Sequence, residues 1–340
     1  MSQDNDLADY NNTHRAFLQA LLARQTLTLT TAKPLLAAIE SASTNGQRTI
    51  PPEDITQEDL ENYVDTLNVH ISAFDFEVRY TLHQTSRERV YALVNTTSDA
   101  LTQMATVHSA DEIAFVKRVL DAMFETNNTS RAEVMAVTGM QALKLAKTAG
   151  QESQARRQSG TQAQANGQSQ AVNASLTMSQ AEKVMENMVA QGWFELSQRG
   201  FYSLTPRALM ELRGWLTDTY NVDPCTDDEE EDDEEPHQKV KSCHACRDIV
   251  TVGQRCPNLV CLARLHNHCV RNMFRAQGGA EECPICKTKW VEAPPVGEKA
   301  AKNLGRARES QGQGRASNGR ISNGTFGRAI EVESEESESE

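Results

Sequence analysis

The sequence of 340 residues contains no run apolar enough to span a membrane, and only 5% of its residues are aromatic. The first absence excludes a transmembrane helix. The polar, acidic start, MSQDNDLADY, does not resemble a secretory signal. The expectation is therefore a reducing compartment, in which clustered cysteines point to metal rather than to disulfides. Cysteine is almost absent outside one stretch. Seven of the eight lie between Cys243 and Cys286, and the eighth, Cys225, reads as a free thiol. A basic excess is missing too. The formal net charge is −13, but nine consecutive acids run from Asp227 to Glu235 and the ending EVESEESESE adds six glutamates; removing these 15 leaves +2. Charge therefore gives no support for autonomous nucleic-acid binding. Length suggests about two or three domains, and 39% hydrophobic residues suffice for cores in part of the chain.

Three segments are too polar to bury a core. Residues 150–175 are rich in Gln, Ser, Ala and Gly, Asp227–Glu235 repels itself and reads as a solvated linker, and residues 294–340 mix Gly, Ser, Asn and Arg before the acidic end. The acidic runs read as solubilising spacers, with a Ser-rich modification site as the alternative for the tail.

Elsewhere the hydrophobic period organises the chain. Phe17, Leu18, Leu21 and Leu22 form a helical stripe, and Thr56 with Asp59 caps a helix carrying Leu60, Tyr63, Val64 and Leu67. The period then changes to two across Phe76, Val78, Tyr80 and Leu82, and Val90–Val94 returns after a polar turn, giving a hairpin. Helices followed by such a hairpin are the order of a winged-helix domain. The order recurs. Ser109 and Glu112 cap a helix with Ile113, Val116, Leu120 and Phe124 inward, and Ser179 and Glu182 are expected to cap another, closed at Gly192. Trp193–Leu204 forms a hairpin turning at Gly200, and Thr205-Pro206 opens a last helix with Leu209, Leu212, Trp215 and Leu216 inward. The expected organisation is α+β: winged-helix domain one over 1–107, winged-helix domain two over 108–222 with 150–175 inserted, an acidic linker over 223–240, a zinc domain over 241–293 and a tail over 294–340. Two apolar-cored domains without clustered Lys or Arg suit protein docking better than DNA; direct DNA contact stays open.

The cysteine-rich stretch reads Cys243-x2-Cys246-x9-Cys256-x4-Cys261-x4-His266-x2-Cys269-x13-Cys283-x2-Cys286. Four pairs supply eight ligands, enough for two closed tetrahedral zinc sites. A gap of two residues lets both side chains of a pair reach one ion, and His266 has that gap to Cys269. His244 and His268 do not fit the spacing and are left as surface or supporting histidines.

The ligand order C4HC3 occurs in methyl-lysine readers and in RING-like domains. Glu281 stands where the readers place an aromatic residue, and CPIC with Trp290 shortly after it resembles a RING. That resemblance implies a cross-brace, with Cys243, Cys246, His266 and Cys269 at zinc one and Cys256, Cys261, Cys283 and Cys286 at zinc two. It also implies a platform for a ubiquitin-conjugating enzyme (E2) from Ala245, Pro284, Ile285 and Trp290, with Lys287 against ubiquitin. Plainer readings make Lys287 a surface lysine and Trp290 packing on the zinc fold. Ala245, where ligases place a larger aliphatic residue, and Cys261, where they place His, are departures.

The combination, with THRAFLQALLA, YALVN, ATVHSADEIAFVKRVL and AEKVMENMVAQGWFE, resembles the non-SMC element 1 family over roughly residues 8–149 and 176–291. This family is the RING-containing subunit of the SMC five–six DNA-repair complex. The resemblance implies a nuclear role in repair and recombination, a MAGE-type winged-helix partner, and RING-type E3 ubiquitin ligase activity aided by that partner. A non-catalytic, zinc-stapled docking subunit of the same complex is the alternative.

Overall fold

The computed structural model describes residues 10–44, 47–97, 107–147, 175–221 and 238–302. These form three packed α+β parts. The expectations for Cys225, for the acidic run, for most of 150–175 and for the end of the chain beyond 302 fall outside the described residues.

The first part runs α1 (Asn12–Arg24), β1 (Thr26–Thr28), α2 (Leu29–Ser43), α3 (Gln57–Ile71), β2 (Phe76–Leu82) and β3 (Arg89–Asn95), with strand order β1-β3-β2. Thr56 and Asp59 cap α3 reciprocally, satisfying backbone N–H groups that the first helical turn leaves free. The core holds Phe17, Leu21, Leu36, Leu60, Leu67, Val78 and Tyr91. Two expectations need correction. Leu22 is 50% exposed, because the buried stripe of α1 is narrower than the sequence pattern. On β2 only Val78 is buried; Phe76, Tyr80 and Leu82, on the same face by strand alternation, are exposed. The reason is that β2 is an edge strand. Asn68 of α3 reaches it at one point, where Oδ1 accepts the Val78 N–H at 2.7 Å and Nδ2 donates to the Val78 carbonyl at 3.1 Å.

The second part repeats the order: α4 (Ala110–Asp121), continued by a π turn over Ala122–Thr126, then β4 (Val137–Thr138), α5 (Gly139–Lys144), α6 (Met178–Ala190), β5 (Phe194–Leu196), β6 (Phe201–Leu204), α7 (Pro206–Glu211) and α8 (Arg213–Tyr220), with strand order β4-β6-β5. Gly192 and Gly200 take positive φ at the helix end and the hairpin turn. The cap of α6 is Thr177 with Gln180, two residues before the expected Ser179 and Glu182, because helical geometry already begins at Met178. The expected last helix is two helices that break at Leu212. The ends of the Gln-rich segment meet: Leu176 N–H donates to the Ala146 carbonyl at 3.1 Å.

The third part contains β7 (Gly253–Arg255), β8 (Arg264–Leu265), α9 (Asn267–Ala276) and β9 (Pro295–Val296), with strand order β8-β7-β9. It extends past the expected limit at 293. Val296 and Ala300 are buried, and β9 pairs with β7. Its apolar residues Val240, Ile249, Val250, Leu265 and Trp290 join Phe115, Leu120, Met188 and Leu216 in one continuous core.

Candidate metal centre

Two loops of the third part have the same local geometry. In Cys243–Arg247 the Ala245 N–H points at Cys243 Sγ (3.4 Å), and the Arg247 N–H donates to the Cys243 carbonyl (2.9 Å). In Cys283–Lys287 the Ile285 N–H points at Cys283 Sγ (3.4 Å), and the Lys287 N–H donates to the Cys283 carbonyl (3.1 Å). Arg247 and Lys287 both adopt left-handed φ, 70° and 61°. That conformation turns each chain sharply enough for its two sulfurs to converge. Each loop closes on a further bond, Cys243 N–H to the Asp248 carbonyl and Cys283 N–H to the Thr288 carbonyl, both 2.8 Å.

The fold then brings the pairs together alternately. Cys243, Cys246, His266 and Cys269 form one group, and Cys256, Cys261, Cys283 and Cys286 the other; within each, the donor atoms lie within 4.8 Å of one another. The separations fit a tetrahedral ion. Two sulfurs each about 2.3 Å from a tetrahedral zinc stand about 3.8 Å apart. Cys256 and Cys286 are separated by 3.5 Å and Cys261 and Cys283 by 3.6 Å, too long for a disulfide. At the other group, His266 Nδ1 lies 3.2 Å from Cys246 Sγ and 4.0 Å from Cys269 Sγ. Its Nε2 faces the Ile249 carbonyl at 3.2 Å. A proton held there leaves the Nδ1 lone pair for a metal. Burial pushes the thiols of Cys256, Cys261 and Cys269 up, the last to about 11. A dication reverses that preference, since zinc binds thiolates. The eight donors can hold two zinc ions.

His268 stacks on His266, with centroids 5.1 Å apart, and lies outside both groups, as does His244. Around the loops, Ala245 and Lys287 are exposed, Ile285 is 49% exposed and Pro284 is half-buried. Trp290 differs from its expected place on the platform. It is 6% exposed, packs edge-on against Phe274 and donates Nε1–H to Gln254 Oε1 at 2.9 Å. Its bulk completes the core of the finger. Gly253 is needed where β7 and β8 meet, because a Cβ there would stand 2.4 Å from the Leu265 carbonyl oxygen.

The residues that seat the finger gave no signal in the sequence. Glu133, on the loop before β4, is 1% exposed and accepts from Arg264 Nε at 2.7 Å and Nη2 at 2.5 Å, and from Lys241 Nζ at 2.9 Å; Arg255 Nη1 lies 3.6 Å away. Burial alone would raise the Glu133 carboxyl. The bidentate Arg264 contact and the charges of Arg264, Lys241 and Arg255 outweigh it and hold the pKa at about 2. Burial is also the main cause that lowers Lys241, to about 8, against the pull of Glu133. From the first part, Gln84 donates to the Ile249 carbonyl at 2.9 Å and accepts from the Thr251 and Val252 N–H groups at 3.0 and 2.7 Å. Without a pattern or a motif, such contacts between distant segments are invisible in one dimension.

The family model described as "Nse1 non-SMC component of SMC5-6 complex" matches residues 14–212, and one described as "RING-like domain" matches 243–286. A "Non-structural maintenance of chromosomes element 1 homolog" of Homo sapiens is 22% identical over 283 residues, covering 83% of this chain and 85% of that protein. The "Non-structural maintenance of chromosomes element 1" of Schizosaccharomyces pombe is 21% identical over 238 residues, covering 70% and 80%. A solved chain of an "Nse1-Nse3-Nse4 complex" has a TM-score of 0.58 at 19% identity, covering 83% of this chain and 98% of that chain, which speaks for the shared fold.

Proposed function

This chain belongs to the Nse1 family of SMC5-6 complex components, and from that premise we propose that it is a RING-type E3 ubiquitin ligase and docking subunit of that complex, acting in the nucleus in DNA repair and recombination. The observation that carries the ligase reading is the pair of matching metal loops, whose tips, Ala245 and Ile285, are exposed while the cysteines of each loop converge on one four-donor group. Zinc at these closed four-donor sites would act as a structural cross-link. Cys243, Cys246, His266 and Cys269 would hold one ion, and Cys256, Cys261, Cys283 and Cys286 the other.

A RING offers no nucleophile, so its contribution is positioning. Ala245, Pro284 and Ile285 would bind an E2 through apolar contact, and Lys287 would meet ubiquitin, holding the thioester in a geometry ready for attack. Trp290, buried against Phe274, would contribute packing of the zinc fold rather than direct contact with the E2. The small side chain at Ala245 makes weak activity the expectation for the chain alone, as each buried methylene is worth about 0.8 kcal/mol. The first two parts, read as winged-helix domains, would dock a MAGE-type winged-helix partner of the Nse3 kind, and the bound partner would raise activity.

The decisive assay is single-turnover discharge of a preloaded E2–ubiquitin thioester across a panel of E2s, with and without that partner. Ala245→Ile should accelerate discharge, and Pro284→Asp should abolish it at unchanged zinc content. If no E2 responds even with the partner bound, the ligase reading fails. The alternative then stands: a non-catalytic, zinc-stapled docking subunit. The small side chain at Ala245 and the seating of the finger on Glu133 favour that second reading.

A further inference from the structure

Glu133 lies outside the zinc-ligand pattern, on a different part of the fold, yet it is the meeting point of three buried cations that flank the ligands of both metal sites. Arg264 stands two residues before His266, and its Nη1 donates to the carbonyls of Cys261 and Ala263, both at 2.8 Å. Arg255 directly precedes Cys256; its Nη2 donates to the Leu259 carbonyl inside the Cys256–Cys261 loop, and its Nη1 to the Ser130 carbonyl, both at 2.8 Å. Lys241 lies two residues before Cys243. All three are buried, and among the described residues Glu133 is the one carboxylate within ion-pair reach of any of them. The backbone adds to the seat: the Gly297 N–H donates to the Glu133 carbonyl, and Asn128 Nδ2 to the Lys239 carbonyl, both at 2.8 Å.

We propose that Glu133 is a positioning residue for both metal sites, so that the finger retains zinc fully only while seated on the second part of the fold. The physical reason is charge. Three buried cations share this one carboxylate, and the other negative charge beside them is that of the thiolate ligands themselves. With the carboxylate neutralised, the three buried cations lose their one carboxylate partner among the described residues, and Arg264 its bidentate contact. They can regain water only if the segments carrying them lift off the body, and those segments carry Cys243, Cys256, Cys261 and His266. Zinc loss and detachment of the finger are therefore one coupled event.

The inference rests on the reading that the finger holds two zinc ions, which the unmutated protein tests separately. Zinc-loaded full-length protein is mixed with a chromophoric chelator, and the amplitude and rate of release are followed. The wild type should release two ions per chain; if it releases none, the zinc reading fails. Glu133→Gln keeps the shape and one oxygen acceptor but removes the charge, and it should release both ions at least ~10-fold faster, the scale on which outer partners of metal ligands act. Adding Lys241→Met removes one stranded cation and should recover part of the loss. Leu120→Ala weakens the α4 core without touching the ion cluster; it should lower the melting temperature and leave the release rate within about twofold of wild type. Release from Glu133→Gln at the wild-type rate overturns the proposal. So does a Leu120→Ala rate as fast as that of Glu133→Gln at equal loss of melting temperature. If Glu133→Gln does not fold, Glu133→Asp replaces it: several-fold faster release is expected, and an unchanged rate overturns the proposal.

Discussion

Asn221 and Val240 hydrogen-bond to each other in both directions: Asn221 Nδ2 donates to the Val240 carbonyl, and the Val240 N–H donates to Asn221 Oδ1, both at 2.8 Å. The nine acids lie between these two residues. The expected linker over 223–240 is therefore corrected at its end, since Val240 is already core and Lys241 is already part of the buried ion cluster.

Because that joint is closed, the intervening length should not decide where the finger sits. Replacing residues 224–237 with two glycines is expected to leave two zinc ions bound and to move the melting temperature by no more than about 2 °C, since loop-closure entropy changes slowly with length. Calorimetry and elemental analysis check this; a finger that loses zinc or melts separately would refute it.

The His83–Glu195 contact between the first hairpin and β5 (3.1 Å) should make stability depend on pH near neutrality. The hydrogen bond from Glu195 is the largest cause of a raised His83 pKa, outweighing burial. A raised folded-state pKa gives a contribution fully present below the unfolded value of 6.5 and lost as pH rises through the folded value. The wild type should exceed His83→Gln by up to about 1 kcal/mol at pH 6, given the partial exposure, and the gap should narrow as pH rises through the folded value and the imidazole loses its charge. Urea unfolding across this pH rise measures it, and a gap that widens with pH would count against the contact.

Trp290 and Ile285 should behave oppositely. Trp290→Ala empties a buried site and is expected to cost about 3–5 kcal/mol and to reduce zinc retention. Ile285→Ala, at a half-exposed tip, should change stability by less than about 0.5 kcal/mol while slowing E2 discharge. Equal stability losses in the two variants would contradict the burial assignments.

The ligand sets predict zinc stoichiometry. Cys283→Ser should lose about one ion, whereas His268→Ala, which removes only a ring stacked on His266, should keep two. Elemental analysis decides, and one ion in the wild type would undo the assignment of eight ligands.

By itself, the sequence determined the features that local spacing sets. Pairs such as Cys243/Cys246 and Cys283/Cys286 announce metal loops because two intervening residues suffice to fold both sulfurs onto one ion. Thr56/Asp59 and Ser109/Glu112 announce helix starts because capping is a contact over three residues. The change of period at Phe76 announces a hairpin because strand side chains alternate. The tertiary structure alone decided the features that depend on distant partners. Phe76 and Tyr80 share the face of buried Val78 yet stay exposed on an edge strand. Trp290 is core because Phe274 and Gln254 cover it. Glu133, an ordinary loop glutamate in the sequence, became the counter-charge for Lys241, Arg255 and Arg264, more than 100 residues away. Coulomb attraction and burial act through space, so one-dimensional spacing carries no trace of which charges will share a buried site.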